Sequence, residues 1–152
     1  MAEITFRPAT PADTEAIRFC IARAYASALR DISDLPDVTD GIGEDIAVHD
    51  VTVAQEGQQV LGVVIFGEVE DAVMIFNLAV LPETQGRGVA RRLLEIAESS
   101  AREKDHPYLR LRTHKLMQDT RSIYSHLGWA EIEMAGNTVL LQKPVSAKVT
   151  SY

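Results

Sequence analysis

The sequence predicts an α+β domain on a mixed, mostly antiparallel sheet of about seven strands flanked by about four helices. Three observations predict it. The chain has 152 residues, 46% of them hydrophobic and 24% charged, which suits a single domain, 1–152, that buries a core of its own. Its apolar residues recur with two periods, alternating in some segments and following helical spacing in others. The segments run β-α-β-β-β-α-β-α-β-β, so strands joined by tight turns stand beside strand-helix-strand units and one sheet holds both pairings.

Each element has its own signal. Ile4 to Arg7 reads as a short first strand. Thr10-Pro11-Ala12-Asp13 starts a helix: Thr10 caps it, Pro11 fits the first helical position and Asp13 completes a capping-box pair. Ile17, Cys20, Ile21, Ala24, Tyr25 and Ala28 then form one apolar stripe, within which Cys20 reads as a small core residue. Residues 31–50 lack a clean period and gather acid at Asp31, Asp34, Asp37, Asp40, Glu44 and Asp45. They are predicted as a loop with a short helix around Glu44–His49, and irregular segments of that length often serve as lids or binding loops.

Val51–Gln55, Gln59–Glu68 with an interruption at Gly62, and Met74–Val80 read as a three-stranded antiparallel meander. The nearly continuous apolar run of its third strand suits a strand covered on both faces. After Pro82 a glycine-bearing turn opens a helix with the stripe Ala90, Leu93, Leu94, Ala97 and Ala101. Tyr108–Thr113 alternates as a strand, and a helix over 119–127 stops at Gly128. Ala130–Met134 and Thr138–Gln142 form a final hairpin around Gly136-Asn137. The core covers about 3–143, and the tail, 144–152, is expected to fray.

Charge and cysteine content narrow the function. Fifteen basic against 22 acidic residues give a net charge of −7, without the basic footprint of a nucleic-acid binder. The one cysteine cannot close an internal disulfide, which suits a reducing compartment. The N-terminus has no basic start followed by an apolar run, and no apolar stretch approaches the ~20 residues of a membrane span. His49, His106 and His126 are scattered without metal-ligand spacing. The expectation is a cytoplasmic protein with a small ligand, no metal, and neither nucleic acid nor membrane as partner.

The informative segment runs from Asn77 to Ala90 and continues into Arg91-Arg92-Leu93-Leu94. An apolar strand enters a turn with two glycines, Gln85-Gly86-Arg87-Gly88, and the turn opens a helix. Successive N–H groups there form an anion-binding concavity reinforced by the helix dipole. Arg87, Arg91 and Arg92 make this the local basic cluster of an acidic chain. A phosphate or pyrophosphate is the ligand this pattern fits. The turn is no P-loop, since no Gly-Lys-Ser/Thr closes it, and it lacks the third glycine of a dinucleotide fingerprint. An ordinary glycine-bearing turn ahead of a surface helix is the competing reading.

Gln85-Gly86-Arg87-Gly88-Val89-Ala90 resembles the Q/R-x-x-G-x-G/A signature of the GNAT superfamily of N-acetyltransferases. Asn77-Leu78-Ala79-Val80-x-Pro82 is similar to that family's fourth strand, and Ile123-Tyr124 through Gly128-Trp129 to its L-Y-x-x-x-G-F/W segment. Thr113-His114-Lys115-Leu116-Met117 resembles a T-x-x-x-M stretch of one bacterial branch. The resemblance covers roughly 3–143 and implies a GNAT-like fold and transfer of acetyl from acetyl-CoA to an amine of a small molecule or peptide.

It also implies roles. The amides of Gln85, Gly86, Arg87, Gly88, Val89 and Ala90 would cradle the CoA pyrophosphate. The family's fourth strand is bulged, and the backbone of Leu78 and Val80, flanking Ala79, would bond the pantetheine arm and polarise the thioester carbonyl. Asn77, Ala79 and Leu81 alternate away from that line. Tyr124 would protonate the departing thiolate. Met117 stands where the family often has Asn and would pack on the cofactor. The fourth-strand Glu that many members use as base is absent from Met74-Ile75-Phe76-Asn77, so His114 is the candidate general base, with Glu68, Glu70 and Tyr25 behind it. Without a base the alternative is a non-catalytic acyl-CoA-binding module. Family members are often dimers, and the final strands offer an edge for a homodimer.

Overall fold

The structure, a computed structural model, describes residues 3–34 and 40–146. Its strands are β1 (Ile4–Pro8), β2 (Asp50–Glu56), β3 (Gln59–Val69), β4 (Ala72–Val80), β5 (Tyr108–His114), β6 (Ala130–Ala135) and β7 (Thr138–Pro144). Its α-helices are α1 (Thr14–Asp31), α2 (Ile42–Val48), α3 (Val89–Glu103) and α4 (Gln118–His126). The seven strands lie in the order β1-β2-β3-β4-β5-β7-β6. β1 pairs antiparallel with β2, β2 with β3, β5 with β7 and β6 with β7, while β4 pairs with β5 in parallel. The predicted α+β class and mixed sheet are therefore present. The short helix begins at Ile42, two residues before its predicted start. Asp37 of the acidic segment and 147–152 of the predicted tail lie outside the described residues.

The chain divides into two compact units. The first comprises Met1–Gly67 and Phe76–Glu95. Its helix start follows the predicted capping chemistry: Thr10 N–H donates to the Asp13 carboxylate at 2.8 Å, and Arg7 donates to both Asp13 oxygens at 2.9 Å. Pro11–Asp13 forms a single 3₁₀ turn before α1. Ile17, Cys20 and Ile21 are fully buried, the i, i+3, i+4 spacing of one helical face. They join Val53, Leu61, Val63, Ile65 and Leu81 in one apolar cluster. Burying each large aliphatic side chain contributes roughly 1.5–3 kcal/mol. Burial pushes the Cys20 thiol up to about 12, which fits a core residue rather than a nucleophile.

β3 is buried without a break from Val60 to Gly67, so both its faces are covered. A Cβ on Gly62 would stand 3.0 Å from Val89 Cγ1, 3.1 Å from Ala79 O and 3.2 Å from Leu93 Cδ1. Glycine there lets α3 lie directly on β3. Leu93, Ala97 and Ala101 of the predicted stripe are buried and Val89 joins them, whereas Ala90, predicted to belong to the stripe, is exposed. The correction is confined to the helix start: contact with Gly62 places Val89 inward, and Ala90 follows about 100° further round the helix.

The second unit comprises Glu68–Ile75 and Ile96–Tyr152. β5 and β7 bury Leu109, Leu111, Val139 and Leu141 by alternation. The rest is more open: α4 has no buried residue, and every residue of β6 is exposed. Ion pairs connect its segments, Arg110 with Asp71 at 2.7 Å, His106 with Glu68 at 2.8 Å and Arg121 with Glu131 at 2.8 Å.

Candidate active site

β4 meets the α1–α2 region in mid-strand. The ring of Phe76 packs on that of His49 with centroids 4.4 Å apart. Its neighbour Asn77 accepts a hydrogen bond from the Tyr25 hydroxyl of α1 at 3.4 Å, and Ala79 and Leu81 share the apolar cluster that α1 supplies. His49 follows directly on α2, which packs against α1. Regular alternation sends consecutive residues to opposite faces. Phe76 and Asn77 nonetheless both reach residues of the α1–α2 region. The paired register with β5 runs from Ala72↔Tyr108 to Ile75↔Leu111, and β4 continues past it to Val80. In that continuation Ala79 is buried, and Leu78 and Val80 are partly so.

The glycine turn follows. Leu81 N–H donates to Leu61 O at 2.8 Å, a 3₁₀ turn spans Pro82–Thr84, and α3 begins at Val89. Gly86 has φ +89° and Gly88 φ +78°, a region that side chains with a Cβ enter only at a cost. A Cβ on either would meet nothing within 4 Å. Glycine is thus required here by backbone conformation, with open space above it. Gln85 and Arg87 spend their N–H groups on Pro82 O and Thr84 O, both at 3.3 Å. The first helical bond is Arg92 N–H to Gly88 O at 3.1 Å, which leaves the N–H groups of Val89, Ala90 and Arg91 without an intrahelical acceptor. These three N–H groups lie at the start of α3, two of them within the predicted Gln85–Ala90 segment and one on Arg91.

The three arginines differ. Arg87 is bidentate on Glu56, at 2.7 and 3.3 Å, and this contact holds the Glu56 carboxyl below its ordinary range. Arg92 lies over the Phe6 ring at 5.2 Å. Arg91 is exposed and makes no ion pair among the described residues.

The second unit carries the other predicted residues. Gly128, with φ +94°, ends α4: Gly128 N–H reaches Ser125 O at 3.1 Å and Trp129 N–H reaches Tyr124 O at 3.0 Å. That left-handed stop brings the buried Trp129 ring edge-on to Tyr124, centroids 5.4 Å apart. The Y-x-x-x-G-W spacing is therefore a helix terminus that fixes the tyrosine ring. The T-x-x-x-M spacing is a turn in which the Thr113 hydroxyl donates to Met117 Sδ at 3.6 Å. His114 is buried, and its Nδ1 accepts the Leu116 N–H at 3.1 Å. This bond ties the His114 ring to the backbone of its own turn.

Of the other base candidates, Glu68 is engaged by His106 and Lys104, and burial pushes the Tyr25 hydroxyl up. Among the described residues no group of three or more His, Cys, Asp or Glu can hold a metal, and no helix is long and apolar enough to cross a membrane.

A mixed seven-stranded α+β sheet, with a two-glycine turn that opens a helix straight after the fourth strand, defines the class of fold. The model of the acetyltransferase (GNAT) domain family matches residues 40–131, more than half of the chain. The chain belongs to the GNAT acetyltransferase family. No curated protein matches it. Among solved structures it is similar to the PaiA N-acetyltransferase of Thermoplasma acidophilum in complex with coenzyme A, at 16% identity and TM-score 0.80 over 93% of this chain and 99% of that one. It is likewise similar to the ribosomal-protein-S18-alanine N-acetyltransferase of Escherichia coli, at 18% identity and TM-score 0.78 over 99% of both chains. A GNAT-family acetyltransferase of Staphylococcus aureus aligns at 13% identity and TM-score 0.80, over 95% of this chain and all of that one.

Proposed function

We propose that the protein transfers an acetyl group from acetyl-CoA to a primary amine of a small molecule or peptide in the cytoplasm, by direct attack in a ternary complex. The observation that carries this reading is the cradle at the start of α3: three N–H groups without helical acceptors behind two glycines of positive φ, inside the segment that matches the family. The donor set fits a pyrophosphate, because it offers N–H groups, a helix dipole and the unpaired Arg91 over open space. Gln85 to Ala90, with Arg91, would hold the cofactor there, and Met117 would pack on it.

Acetyl-CoA supplies the acetyl group as a thioester. The chain's own part is positioning and proton handling. The backbone of Leu78 and Val80, beyond the stretch of β4 paired with β5, would bind the pantetheine arm and aim an amide at the thioester oxygen, the oxyanion-hole effect. Tyr124 holds the proton for the leaving sulfur on a ring already fixed by Trp129. The bond to Leu116 argues against the expected base role of His114 and favours positioning of the Thr113–Met117 turn.

The test is calorimetry with acetyl-CoA, followed by CoA release with polyamines, amino acids, aminoglycosides and peptides. Gly88→Ala is expected to weaken acetyl-CoA binding about tenfold or more, since the strain costs roughly 1–2 kcal/mol and the cradle distorts. Tyr124→Phe is expected to lower turnover about 100-fold with binding retained. Normal turnover by Tyr124→Phe would sink the acid assignment. Binding without turnover on any amine would establish the non-catalytic module instead.

A further inference from the structure

The transfer reading lacks a base, and the contacts made by β4 just before Leu78 indicate where one lies. Asn77 meets Tyr25 and Phe76 meets His49. Tyr25 donates to Asn77, and its burial keeps the hydroxyl protonated. Asn77 and Phe76 do not titrate. His49 is partly buried and packs on Phe76 with its ring tilted by 33°.

The ring pair occupies a built seat. A Cβ on Gly67 of β3 would stand 3.1 Å from His49 Nδ1 and 3.2 Å from Phe76 Cε2, so any larger residue there would displace both rings. Nδ1 and Cε1 are the ring atoms nearest that position, which leaves Nε2 as the nitrogen turned further from β3. Asp45 of α2 is the charged group that interacts with His49, Glu44 stands beside Asp45, Asp50 follows His49 in β2, and Tyr25 of α1 bonds Asn77, the neighbour of Phe76. Asp45 is one helical turn earlier, and its carbonyl accepts the His49 N–H at 2.8 Å. Burial pushes the Asp45 carboxyl up, and the charge of His49 opposes that rise. Phe76 is two residues from Leu78, whose backbone would bind the thioester.

We propose that His49 is the general base that takes the proton from the acceptor ammonium, at Nε2, directly or through one water. The inference rests on the acetyl-transfer reading above. In the step, an ammonium N–H bond breaks and its proton passes to Nε2. The freed lone pair forms the bond to the acetyl carbon, the C–S bond breaks, and its electron pair leaves on sulfur, which takes the Tyr124 proton. The nitrogen, positive after attack, gives up a second N–H proton through water to the Tyr124 phenolate, so the products are the neutral amide, the CoA thiol and the His49 imidazolium. Phe76 and Gly67 are positioning residues for the ring.

The experiment is His49→Gln in the full chain, with CoA release followed from pH 5.5 to 9 on whichever amine of the panel the wild type acetylates fastest. The expected result is a fall of about 100-fold in kcat/KM and loss of the acidic limb of the pH profile, with acetyl-CoA affinity by calorimetry unchanged. A companion His49→Ala protein is expected to regain activity with added imidazole and not with added salt. A His49→Gln protein that binds acetyl-CoA and keeps wild-type turnover and pH profile overturns the proposal and leaves the transfer reading intact. So does a His49→Ala protein that binds acetyl-CoA and gains nothing from imidazole. A wild type that binds acetyl-CoA and acetylates no amine overturns both.

Discussion

The two compact units close their outer layers differently. In the unit of Met1–Gly67 and Phe76–Glu95, α1 and α2 close an apolar cluster whose members are almost wholly buried, with ion pairs at its surface. In the unit of Glu68–Ile75 and Ile96–Tyr152, β5 and β7 bury an apolar row, but one helix has no buried residue, one edge strand is exposed throughout, and carboxylates paired with Arg, Lys and His connect these outer segments. Apolar burial is indifferent to moderate salt, whereas exposed ion pairs are screened within a Debye length of about 10 Å at 0.1 M. The glycine cradle and the His49–Phe76 pair belong to the first unit. The groups that shape Tyr124 and Met117 belong to the second.

The largest effect on stability is expected from Ile21→Ala. It should cost about 2–5 kcal/mol in urea denaturation, because a fully buried side chain leaves a cavity. The loss should be the same in low and high salt. A salt-dependent loss would break the contrast.

Asp13→Asn should cost about 1–3 kcal/mol, since it removes charged hydrogen bonds to Arg7 and leaves the Thr10 N–H a weaker acceptor. Asp13 is a buried carboxylate of the first unit, whose other ion pairs, such as Arg23–Glu83 and Arg87–Glu56, are more exposed, and the hydrogen bonds from Arg7 hold its carboxyl down to about 2. A folded value below the unfolded one stabilises above the unfolded value and is lost as pH falls through the folded value. The wild type should therefore lose stability between about pH 4 and pH 2, and Asp13→Asn should flatten that part of a pH-dependent melting curve.

Glu98→Gln probes the other unit. Burial raises this carboxyl, but hydrogen bonds from Ser146 and the ammonium of Lys143 outweigh it and lower the net value. The expected cost is about 1 kcal/mol or less, shrinking further in 1 M salt. A salt-independent loss would show that packing, not charge, holds this region.

The smallest effect is on binding. Glu56→Gln frees Arg87 beside the cradle and should tighten acetyl-CoA about two- to fivefold by calorimetry, the scale of an exposed pair. No change would show that Arg87 stays out of the cofactor's reach.

Much of this architecture is local, and local features are legible in sequence. The Thr10–Asp13 start, the Gly128 stop after Tyr124 and the two-glycine turn each involve groups a few residues apart. Their chemistry is written in consecutive letters. The surroundings of β4 are not, because Met74 to Val80 reads as a nearly continuous apolar strand. Only the contacts with His49 and Tyr25 reveal what Phe76 and Asn77 meet. The T-x-x-x-M stretch reads as a cofactor contact, while the structure adds the Thr113–Met117 bond that the spacing permits. No motif surrounds His49. Its signal, a glycine at 67 opposite a ring at 76, exists only once β3 and β4 are in register.

The sequence alone determined the order of elements, the helix ends, the glycine turn and the family likeness, since each depends on backbone preference and apolar period over short spans. The tertiary structure decided which N–H groups the turn leaves open, that Arg87 is paired and Arg91 is not, that His114 spends Nδ1 on its own turn, and that His49 rests on Phe76 over Gly67. These are pairings between segments distant in sequence. Their free energy depends on the distances and directions that packing sets, which composition and spacing do not encode.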